Sequence, residues 1–182
     1  MYDRTLPVIR GILDIAMSVS KPFKRGYRSH DGLDQYETPD EVFNHYDAKY
    51  HFYMDVCATR ESAKVRRFFT KETDALTKKW IGPCWMNPPY SGLKKWVKYA
   101  HEQSLQGATV VGLVPAWCGD SWFHEFVGPF AQVTFLRKRL KFMGSNRQPF
   151  AAYFANMVCV WPREAAIHED GQKLTITISA RF

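Results

Sequence analysis

The sequence predicts an α/β fold, a three-layer sandwich in which helices cover both faces of a mainly parallel sheet. Three observations support this prediction. Short apolar runs of strand length alternate with segments of helical periodicity. The β-branched run at residues 109–114 is too hydrophobic for an edge strand and predicts a buried parallel strand. Residues 137–142 alternate in polarity, which predicts a half-buried hairpin strand, and they are followed by a strand predicted at residues 153–161 and an alternating final edge strand at residues 173–178.

Composition limits the class of protein. With 182 residues, 46% hydrophobic and 15% aromatic, the chain has enough apolar surface for one packed domain. We expect a basic N-terminal helix and arm at residues 1–34 and a catalytic domain at residues 35–182. No apolar run is long enough to span a bilayer. Asp14 interrupts the only candidate signal segment, so a cytoplasmic protein without a membrane partner is expected.

The cysteines are widely spaced and none forms a Cys-x-x-Cys pair, so no metal site is expected. Each lies in or beside an apolar run and is interpreted as a small core residue in a reducing compartment. These residues are Cys57, Cys84, Cys118 and Cys159.

The net charge of +7 is unevenly distributed. Residues 131–150 carry five basic side chains and no acidic one, and residues 1–30 carry six basic against two acidic side chains. Residues 31–50 reverse the sign, with six acidic residues and one lysine. Basic patches beside a possible site indicate a polyanion partner, although a generally basic soluble protein explains the total equally well.

The N-terminal region is predicted as a short amphipathic helix at residues 6–18, followed by a polar arm at residues 18–34. Lys24, Arg25 and Arg28 lie in this arm. One interpretation is an arm that contacts phosphates and becomes ordered on nucleic acid. The alternative is a disordered terminal extension.

The next helix has a strong start signal. Thr38 is predicted as its N-cap, Pro39 occupies the first helical position, and Glu41 completes a capping box. The helix is expected to end near Tyr46. Residues 51–56 are then predicted as the first core strand.

Asp55 lies at the carboxyl end of this strand, where doubly wound folds bind ligands. A carboxylate there can order a charged ligand group, and the small residues Cys57 and Ala58 allow close approach. The alternative is an Asp that caps a following helix, predicted at residues 60–67. A short strand is predicted at residues 67–70, and Asp74 follows in a loop.

The sequence Asn87-Pro88-Pro89-Tyr90 lies between a short apolar strand and a helix predicted at residues 91–106. Two prolines remove two backbone donors and fix two φ angles, so this turn is stiff. The Asn87 side-chain oxygen and the Pro88 carbonyl can each accept one N–H of an exocyclic amine while Tyr90 lies against a planar ring. Such acceptance turns the nitrogen lone pair out of conjugation. The alternative is a polyproline turn or a ligand for a peptide-binding domain.

Taken together, the ordered motifs resemble the phage-type DNA N6-adenine methyltransferases. The resemblance runs from about residue 35 to residue 161. Its parts are Glu37-Thr38-Pro39, residues 54–58, residues 68–70 with Asp74-Ala75-Leu76 and Trp80, the Asn-Pro-Pro-Tyr turn, and residues 110–116 and 135–142. The Asn-Pro-Pro-Tyr element alone also occurs in methyltransferases that act on protein glutamine and on guanine.

This resemblance implies a Rossmann-like S-adenosylmethionine-dependent methyltransferase fold with antiparallel closing strands. It implies that Asp74 accepts from the adenine amino group of the cofactor, that Ala75 or Leu76 packs on that ring, and that Asn87 lies beside the transferred methyl group. It also assigns cofactor contacts to Tyr36, Thr38, Pro39, Asp55, Cys57 and Ala58. The chain departs from many methyltransferases because Ala58-Thr59-Arg60 stands where they have Gly-x-Gly.

The resulting prediction is methyl transfer from S-adenosylmethionine to N6 of an adenine flipped out of DNA, with Asn87, Pro88, Pro89 and Tyr90 as the catalytic residues. The basic side of residues 137–142, namely Arg137, Arg139 and Lys141, is expected to meet phosphates, and Phe142 to help hold the extruded base. Trp117 and Trp122 can line the pocket or fill the core. A monomer in the cytoplasm, the host's if a phage encodes it, is expected.

Two other functions stay open. One is a methyltransferase acting on RNA or on a protein glutamine amide, and the other is a non-catalytic nucleic-acid-binding relic of the fold. The recognition sequence is not predicted. It depends on loops in the N-terminal arm and at residues 116–130 and 143–152.

Overall fold

The computed structural model describes residues 37–143, 148–163 and 176–178. Within these residues, two α-helices, α1 (Asp40–Tyr50) and α2 (Leu93–Leu105), accompany eight strands. The strands are β1 (Met54–Asp55), β2 (Pro83–Met86), β3 (Thr109–Pro115), β4 (Gln132–Phe135), β5 (Lys141–Met143), β6 (Pro149–Ala151), β7 (Asn156–Trp161) and β8 (Ile176–Ile178).

Six strands form one mixed sheet in the order β1-β2-β3-β7-β4-β8. β1, β2 and β3 are parallel, so their carboxyl ends emerge at the same edge. β7 is antiparallel and lies between β3 and β4, and β8 pairs in parallel with β4. β5 and β6 form a separate antiparallel pair. The mixed α/β class is therefore as predicted, and β7 and the β5–β6 pair are antiparallel as expected, whereas β8 departs from the predicted antiparallel closing strands because it pairs in parallel with β4.

The two faces of the sheet bury separate clusters of side chains. Leu93, Val97 and Ala100 of α2 pack with Val110 and Val114 of β3 on one face, which we call the α2 side. The other face, the α1 side, buries two residues of α1 with three strand residues, namely Val42, Phe43, Trp85, Val111 and Leu113. Successive strand residues point to opposite faces, which explains how β3 supplies both clusters. Helices therefore cover both faces, as the three-layer prediction requires.

The predicted helix at residues 60–67 is wrong, because the structure has turns and bends there. Thr59 and Ser62 exchange backbone-to-hydroxyl hydrogen bonds of 2.9 and 3.2 Å. The Lys64 N–H donates to the Asp55 carboxylate instead of to a helical carbonyl. Short polar side chains compete with helical hydrogen bonding in this way.

Residues 67–70 form only one rung of a strand. Asp55 N–H donates to Arg67 O at 2.8 Å and Phe69 N–H donates to Asp55 O at 2.9 Å. This single parallel bridge, between Asp55 and Phe68, extends the sheet outward beyond β1. β1 is likewise shorter than the predicted strand at residues 51–56.

The predicted cap of α1 is also wrong. The helix begins at Asp40, Pro39 occupies the N-cap position, and no side chain caps it. The Thr38 hydroxyl instead accepts a hydrogen bond from Trp85 Nε1 at 3.2 Å. The helix continues to Tyr50, four residues beyond the predicted end.

The remaining elements agree with prediction in kind and differ in extent. α2 begins at Leu93 after a 3₁₀ turn at Tyr90–Gly92, and a π-helical turn spans Phe123–Val127. β5 covers only the end of the strand predicted at residues 137–142, and β7 starts three residues later than the predicted strand at 153–161. β8 is an edge strand, as expected.

All four cysteines are free thiols, and Cys84 and Cys159 are buried in the core as predicted. The N-terminal helix and arm lie outside the described residues. Within the described part of the chain, no helix has the length and apolar character needed to cross a bilayer.

Candidate active site at the carboxyl edge of the sheet

The predicted catalytic turn and the predicted ligand-binding aspartate emerge side by side. Asp55, the last residue of β1, pairs with Trp85 of β2, and Val56 N–H donates to Trp85 O at 2.9 Å. Asn87 follows β2 by one residue. The Cys57 thiol lies against the Asn87 backbone N–H. The parallel register thus brings the segment after β1 and the Asn-Pro-Pro-Tyr turn to one edge.

Residues 87–90 form a sharp corner between β2 and α2. Pro88 and Tyr90 are buried, whereas Asn87 and Pro89 are partly exposed. Pro89 is extended (φ −55°, ψ 124°) and precedes the 3₁₀ turn. Tyr90 Oη donates to Asn87 Oδ1 at 3.3 Å, so the phenol and the amide of the corner contact each other without a ligand.

Two further aromatic rings complete this corner. Phe154 lies edge-to-face against Tyr90 with ring centroids 5.5 Å apart, and Trp117 lies 6.5 Å from Tyr90. Trp117 and Phe154 contact each other at 5.3 Å. We call Tyr90, Trp117 and Phe154 the aromatic corner. Trp117 follows β3 and Phe154 precedes β7, so three chain segments build one wall.

Sequence reasoning left the role of Trp117 open and missed Phe154, because residue 154 fell within a predicted strand. The signal that it belongs to the site is the pairing of its neighbour: Ala116 N–H donates to Ala155 O at 2.8 Å. Trp122, the other tryptophan with two possible roles, is buried in the α2-side core.

Asp55 is 3% exposed and is held by the loop that follows it. Its carboxylate accepts from Cys57 N–H at 3.1 Å and from Lys64 N–H at 3.2 Å. Burial raises the pKa of Asp55 to about 6, against the opposing effects of these two hydrogen bonds and the Lys64 charge. A carboxylate that is costly to ionise at a ligand edge is a typical sign of a binding site. Lys64 was not identified from the sequence.

Cys57 is unsuited to nucleophilic chemistry. Burial raises the pKa of its thiol well above the usual range, and the neighbouring Asp55 charge adds to this effect. The neutral thiol is a poor nucleophile. Cys57 and Ala58 are therefore interpreted only as small residues at the carboxyl edge of the sheet.

Asp74 lies on the opposite flank of β1 from the aromatic corner. Its backbone is in the left-handed region (φ 45°), and its carboxylate accepts from Leu76 N–H at 3.2 Å. Ala75 is buried, and Leu76 packs against the α2-side cluster. A non-glycine residue in this region stores strain, which often accompanies functional sites. The Asp74 carboxylate itself is exposed.

The segment before α1 reaches the same part of the molecule from the α1 side. Thr38 is 6% exposed and contacts Trp85, two residues before Asn87. Pro39 is partly exposed. Tyr36, the third residue assigned to this segment, lies outside the described residues.

The predicted nucleic-acid contacts divide into three groups. Arg137, Arg139 and Lys141 are exposed. Phe142 is fully buried in the α1-side cluster, so its predicted contact with an extruded base is corrected to a core role. Lys24, Arg25 and Arg28 lie outside the described residues.

Within residues 37–143, 148–163 and 176–178, no group of three or more His, Cys, Asp or Glu side chains is arranged to hold a metal ion.

Comparison with known proteins bears on the chemistry of this edge. The family profile described as DNA N-6-adenine-methyltransferase (Dam) matches residues 28–168. A protein of Haemophilus phage HP1 (strain HP1c1) named DNA N-6-adenine-methyltransferase is 36% identical over 119 residues, 62% of this chain and 68% of that protein. An Escherichia phage T1 protein of the same name is 34% identical over 106 residues, 56% of this chain and 44% of that protein.

Proposed function

This chain belongs to the DNA N-6-adenine-methyltransferase family of enzymes, and from that membership we propose that it transfers the methyl group of S-adenosylmethionine to N6 of an adenine flipped out of DNA. The main observation that supports this reaction is the position of the Asn87–Tyr90 corner, which begins one residue beyond β2 and lies beside the buried Asp55. The same edge thereby offers acceptors for an amine and a carboxylate for a cationic ligand.

We assign the domain to the Rossmann-like methyltransferase fold. The parallel strands β1, β2 and β3, covered by helices on both faces, support this assignment. In such sheets ligands bind outside the carboxyl ends of the strands. The residues to which the family resemblance assigns site roles, Asp55 and Asn87 among them, lie at that edge.

The residues present fit S-adenosylmethionine, which supplies an electrophilic methyl group when bound. Asp55, with its raised pKa, is suited to accept from the cationic amino-acid end, since a positive partner stabilises the ionised carboxylate. Asp74 on the far flank is suited to accept from an amino group, with Leu76 against the ring. Thr38 and Pro39 would close the site from the α1 side, and Cys57 and Ala58 leave room for close approach.

The corner holds the reacting amine by two acceptors. Asn87 Oδ1 exchanges its 3.3 Å bond with Tyr90 Oη for one N–H of the target adenine, and the Pro88 carbonyl accepts the other. This arrangement directs the nitrogen lone pair toward the methyl donor. The stiff prolines keep both acceptors in place, so the main catalytic contribution is orientation.

Base flipping makes this geometry reachable. A stacked adenine cannot enter the corner, and its extrusion costs on the order of a few kcal/mol. Stacking on Tyr90 returns about 1–3 kcal/mol. Trp117 and Phe154 hold the Tyr90 ring from the side, which keeps its face oriented.

The exposed basic residues near β5 are proposed as phosphate contacts. Arg137, Arg139 and Lys141 lie in one segment without an acidic neighbour between residues 131 and 143. Tyr153, which is 71% exposed, lies between β6 and the aromatic corner. DNA that crosses this segment would bring its target base toward Tyr90.

Labelled methyl transfer tests the proposal. The enzyme is incubated with S-adenosylmethionine labelled on the methyl group and with random-sequence duplex DNA, RNA or protein. N6-methyladenine in DNA is expected, and mapping the modified adenines gives the recognition sequence. Label confined to RNA or to a protein amide would contradict the assignment. Absence of S-adenosylmethionine binding in calorimetry would instead indicate a non-catalytic relic.

A further inference from the structure

Asn156, the first residue of β7, carries a buried amide without partners. The residue is fully buried, and neither its Oδ1 nor its Nδ2 has a hydrogen-bond partner among the described residues. Only its backbone is engaged at this end, since its carbonyl accepts from Leu136 N–H at 3.0 Å. An unsatisfied buried polar group costs about 1–3 kcal/mol, so such a group in a native protein requires an explanation.

The position of Asn156 supplies one. β7 runs antiparallel to β3, and Asn156 pairs with Pro115, the last residue of β3. The start of β7 therefore lies at the carboxyl edge of β1, β2 and β3. Since β3 alone separates β7 from β2, the two strands are about 10 Å apart, which is two strand spacings. An Asn side chain from each strand can span that separation and reach neighbouring atoms on one edge of a base.

The side chain also lies on the appropriate face. Strand alternation places Asn156 on the same face as Val158 and Val160, which belong to the α1-side cluster. Phe154, two residues earlier, packs against the same cluster and contacts Tyr90. Asn87 follows Trp85 of that cluster by two residues. Asn87, Phe154 and Asn156 thus share one edge and one face.

We propose that Asn156 is a positioning residue of the target-base pocket, whose Nδ2 donates to a ring nitrogen flanking the amino group of the adenine. This inference rests on the proposed function. Asn87 and the Pro88 carbonyl take both hydrogens of the amine, so the acceptor that remains on that edge is N1 or N7. An Asn side chain supplies the required donor. Its Oδ1 can accept from a water that enters with the base.

A contact to N1 also contributes selectivity, whereas N7 is an acceptor in both adenine and guanine. Guanine carries O6 in place of the amine and an N1–H donor in place of the N1 acceptor, so its edge opposes the two acceptors of the corner. A site built to pair with a polar edge discriminates against an analogue that leaves its buried groups unpaired. The unpartnered amide in the ligand-free protein is the cost of that discrimination.

The test compares wild type with Asn156→Leu, which removes the amide at similar volume. The ligand-free variant is expected to melt at the same temperature as wild type or higher, because an unpaired buried amide is lost. Its affinity for S-adenosylmethionine is expected to be unchanged. On duplex DNA, kcat/KM is expected to fall about 10-fold or more, the typical effect of one good polar base contact.

Base analogues locate the contact. Duplexes carry 1-deazaadenine or 7-deazaadenine at the mapped target, which replaces N1 or N7 by C–H. Wild type is expected to lose activity on one of them, and Asn156→Leu is expected to show no further loss on the same analogue. Losses that multiply for both analogues would overturn the inference, as would a variant with wild-type kcat/KM.

A second variant guards against a folding defect. Asn156→Asp has the same size and lacks the amide donor, so it is expected to show the same insensitivity to the analogue. If Asn156→Asp keeps the wild-type response to both analogues, the inference is wrong. A wild-type enzyme that methylates no DNA contradicts the proposed function itself, whereas active wild type with unaltered Asn156 variants contradicts only this inference.

Discussion

Asn87 and Tyr90 contact each other, and in the proposed mechanism both change partners when a base enters. The 3.3 Å bond between Tyr90 Oη and Asn87 Oδ1 orients the amide before binding. The Tyr90 ring is held by Phe154 and Trp117. In the proposed mechanism the hydroxyl serves orientation, while the ring face serves base stacking.

The two roles of Tyr90 are separable. Tyr90→Ala is expected to lower kcat/KM on duplex DNA about 5- to 150-fold, which corresponds to about 1–3 kcal/mol of stacking. Tyr90→Phe keeps the ring and is expected to stay within about 5-fold of wild type, because one neutral hydrogen bond contributes about 1 kcal/mol. Steady-state kinetics on one oligonucleotide substrate give kcat/KM for both variants and so separate the two roles. Equal losses for the two variants would contradict a stacking role.

The raised pKa of Asp55 predicts how the stability of the protein depends on pH. Its pKa in the folded protein is about 6, above the ordinary value of 3.8, so the folded state binds the proton more tightly. The stability that this contributes is fully present below pH 3.8 and is lost as the pH rises through 6. The total is about 3 kcal/mol, at 1.36 kcal/mol per pKa unit.

The test compares wild type with Asp55→Asn by urea unfolding between pH 4 and 7. The free energy of unfolding of Asp55→Asn minus that of wild type is expected to rise over this range, because the variant lacks the titrating group. Parallel pH profiles would show that Asp55 does not carry the raised pKa.

The sequence predicted the position of the Asn87–Tyr90 corner but not all of the residues that surround it. The prolines and their position after an apolar run fix Asn87 and Tyr90 locally. Phe142, predicted to help hold an extruded base, is instead buried, because alternation within a segment shows that one side is buried without showing what covers it. The hairpin and α1 bury Phe142, whereas Phe154 lies before β7 at the ligand edge.

At the scale of elements, the prediction succeeded where a pattern was local and long. α2 and β3 lie within two residues of their predicted limits, since helical periodicity and a β-branched run each extend over many residues. Prediction failed at residues 60–67 and at the start of α1. In both places a tertiary hydrogen bond, to Asp55 or from Trp85, uses the group that local rules assigned to the helix.

The start of α1 offers a direct test of this competition. Thr38→Val is expected to lower the free energy of unfolding by about 1–3 kcal/mol, because the buried Trp85 Nε1 loses its acceptor. Thr38→Ser retains a hydroxyl and is expected to recover most of that loss. Glu41→Ala is expected to cost no more than about 1 kcal/mol, from its interaction with the helix dipole. If chemical denaturation shows that Glu41→Ala loses more unfolding free energy than Thr38→Val, the predicted capping box would be correct after all.

At the scale of the whole molecule, charge and chemistry lie on connected segments. The basic residues 137–141 lead into β5, the β5–β6 pair leads to Phe154, and β7 then begins at the active edge. A strand of DNA held along this path would present its extruded base to the aromatic corner. The sequence shows that this segment is basic. It does not show how far the segment lies from the Asn87–Tyr90 corner, because the distribution of charge along a chain carries no information on distance in the fold.

Removal of the basic residues is expected to weaken DNA binding without changing chemistry. The triple variant Arg137→Ala, Arg139→Ala and Lys141→Ala should raise the Kd for DNA and reduce the slope of log Kd against log salt by up to about three. The rate at saturating DNA should stay near wild type. A matched control removes three exposed lysines elsewhere, Lys79, Lys95 and Lys98. Equal effects of both triple variants would show a non-specific effect of net charge.

The central claim is that Asn87 orients the target amine and does not hold the cofactor. Asn87→Ala tests it in single-turnover methyl transfer to duplex DNA, with S-adenosylmethionine binding measured on the same sample by calorimetry. The expected result is a rate at least about 100-fold below wild type, the cost of removing one transition-state hydrogen bond, with cofactor affinity within about twofold. A variant that methylates adenine at a rate near that of wild type would contradict the account.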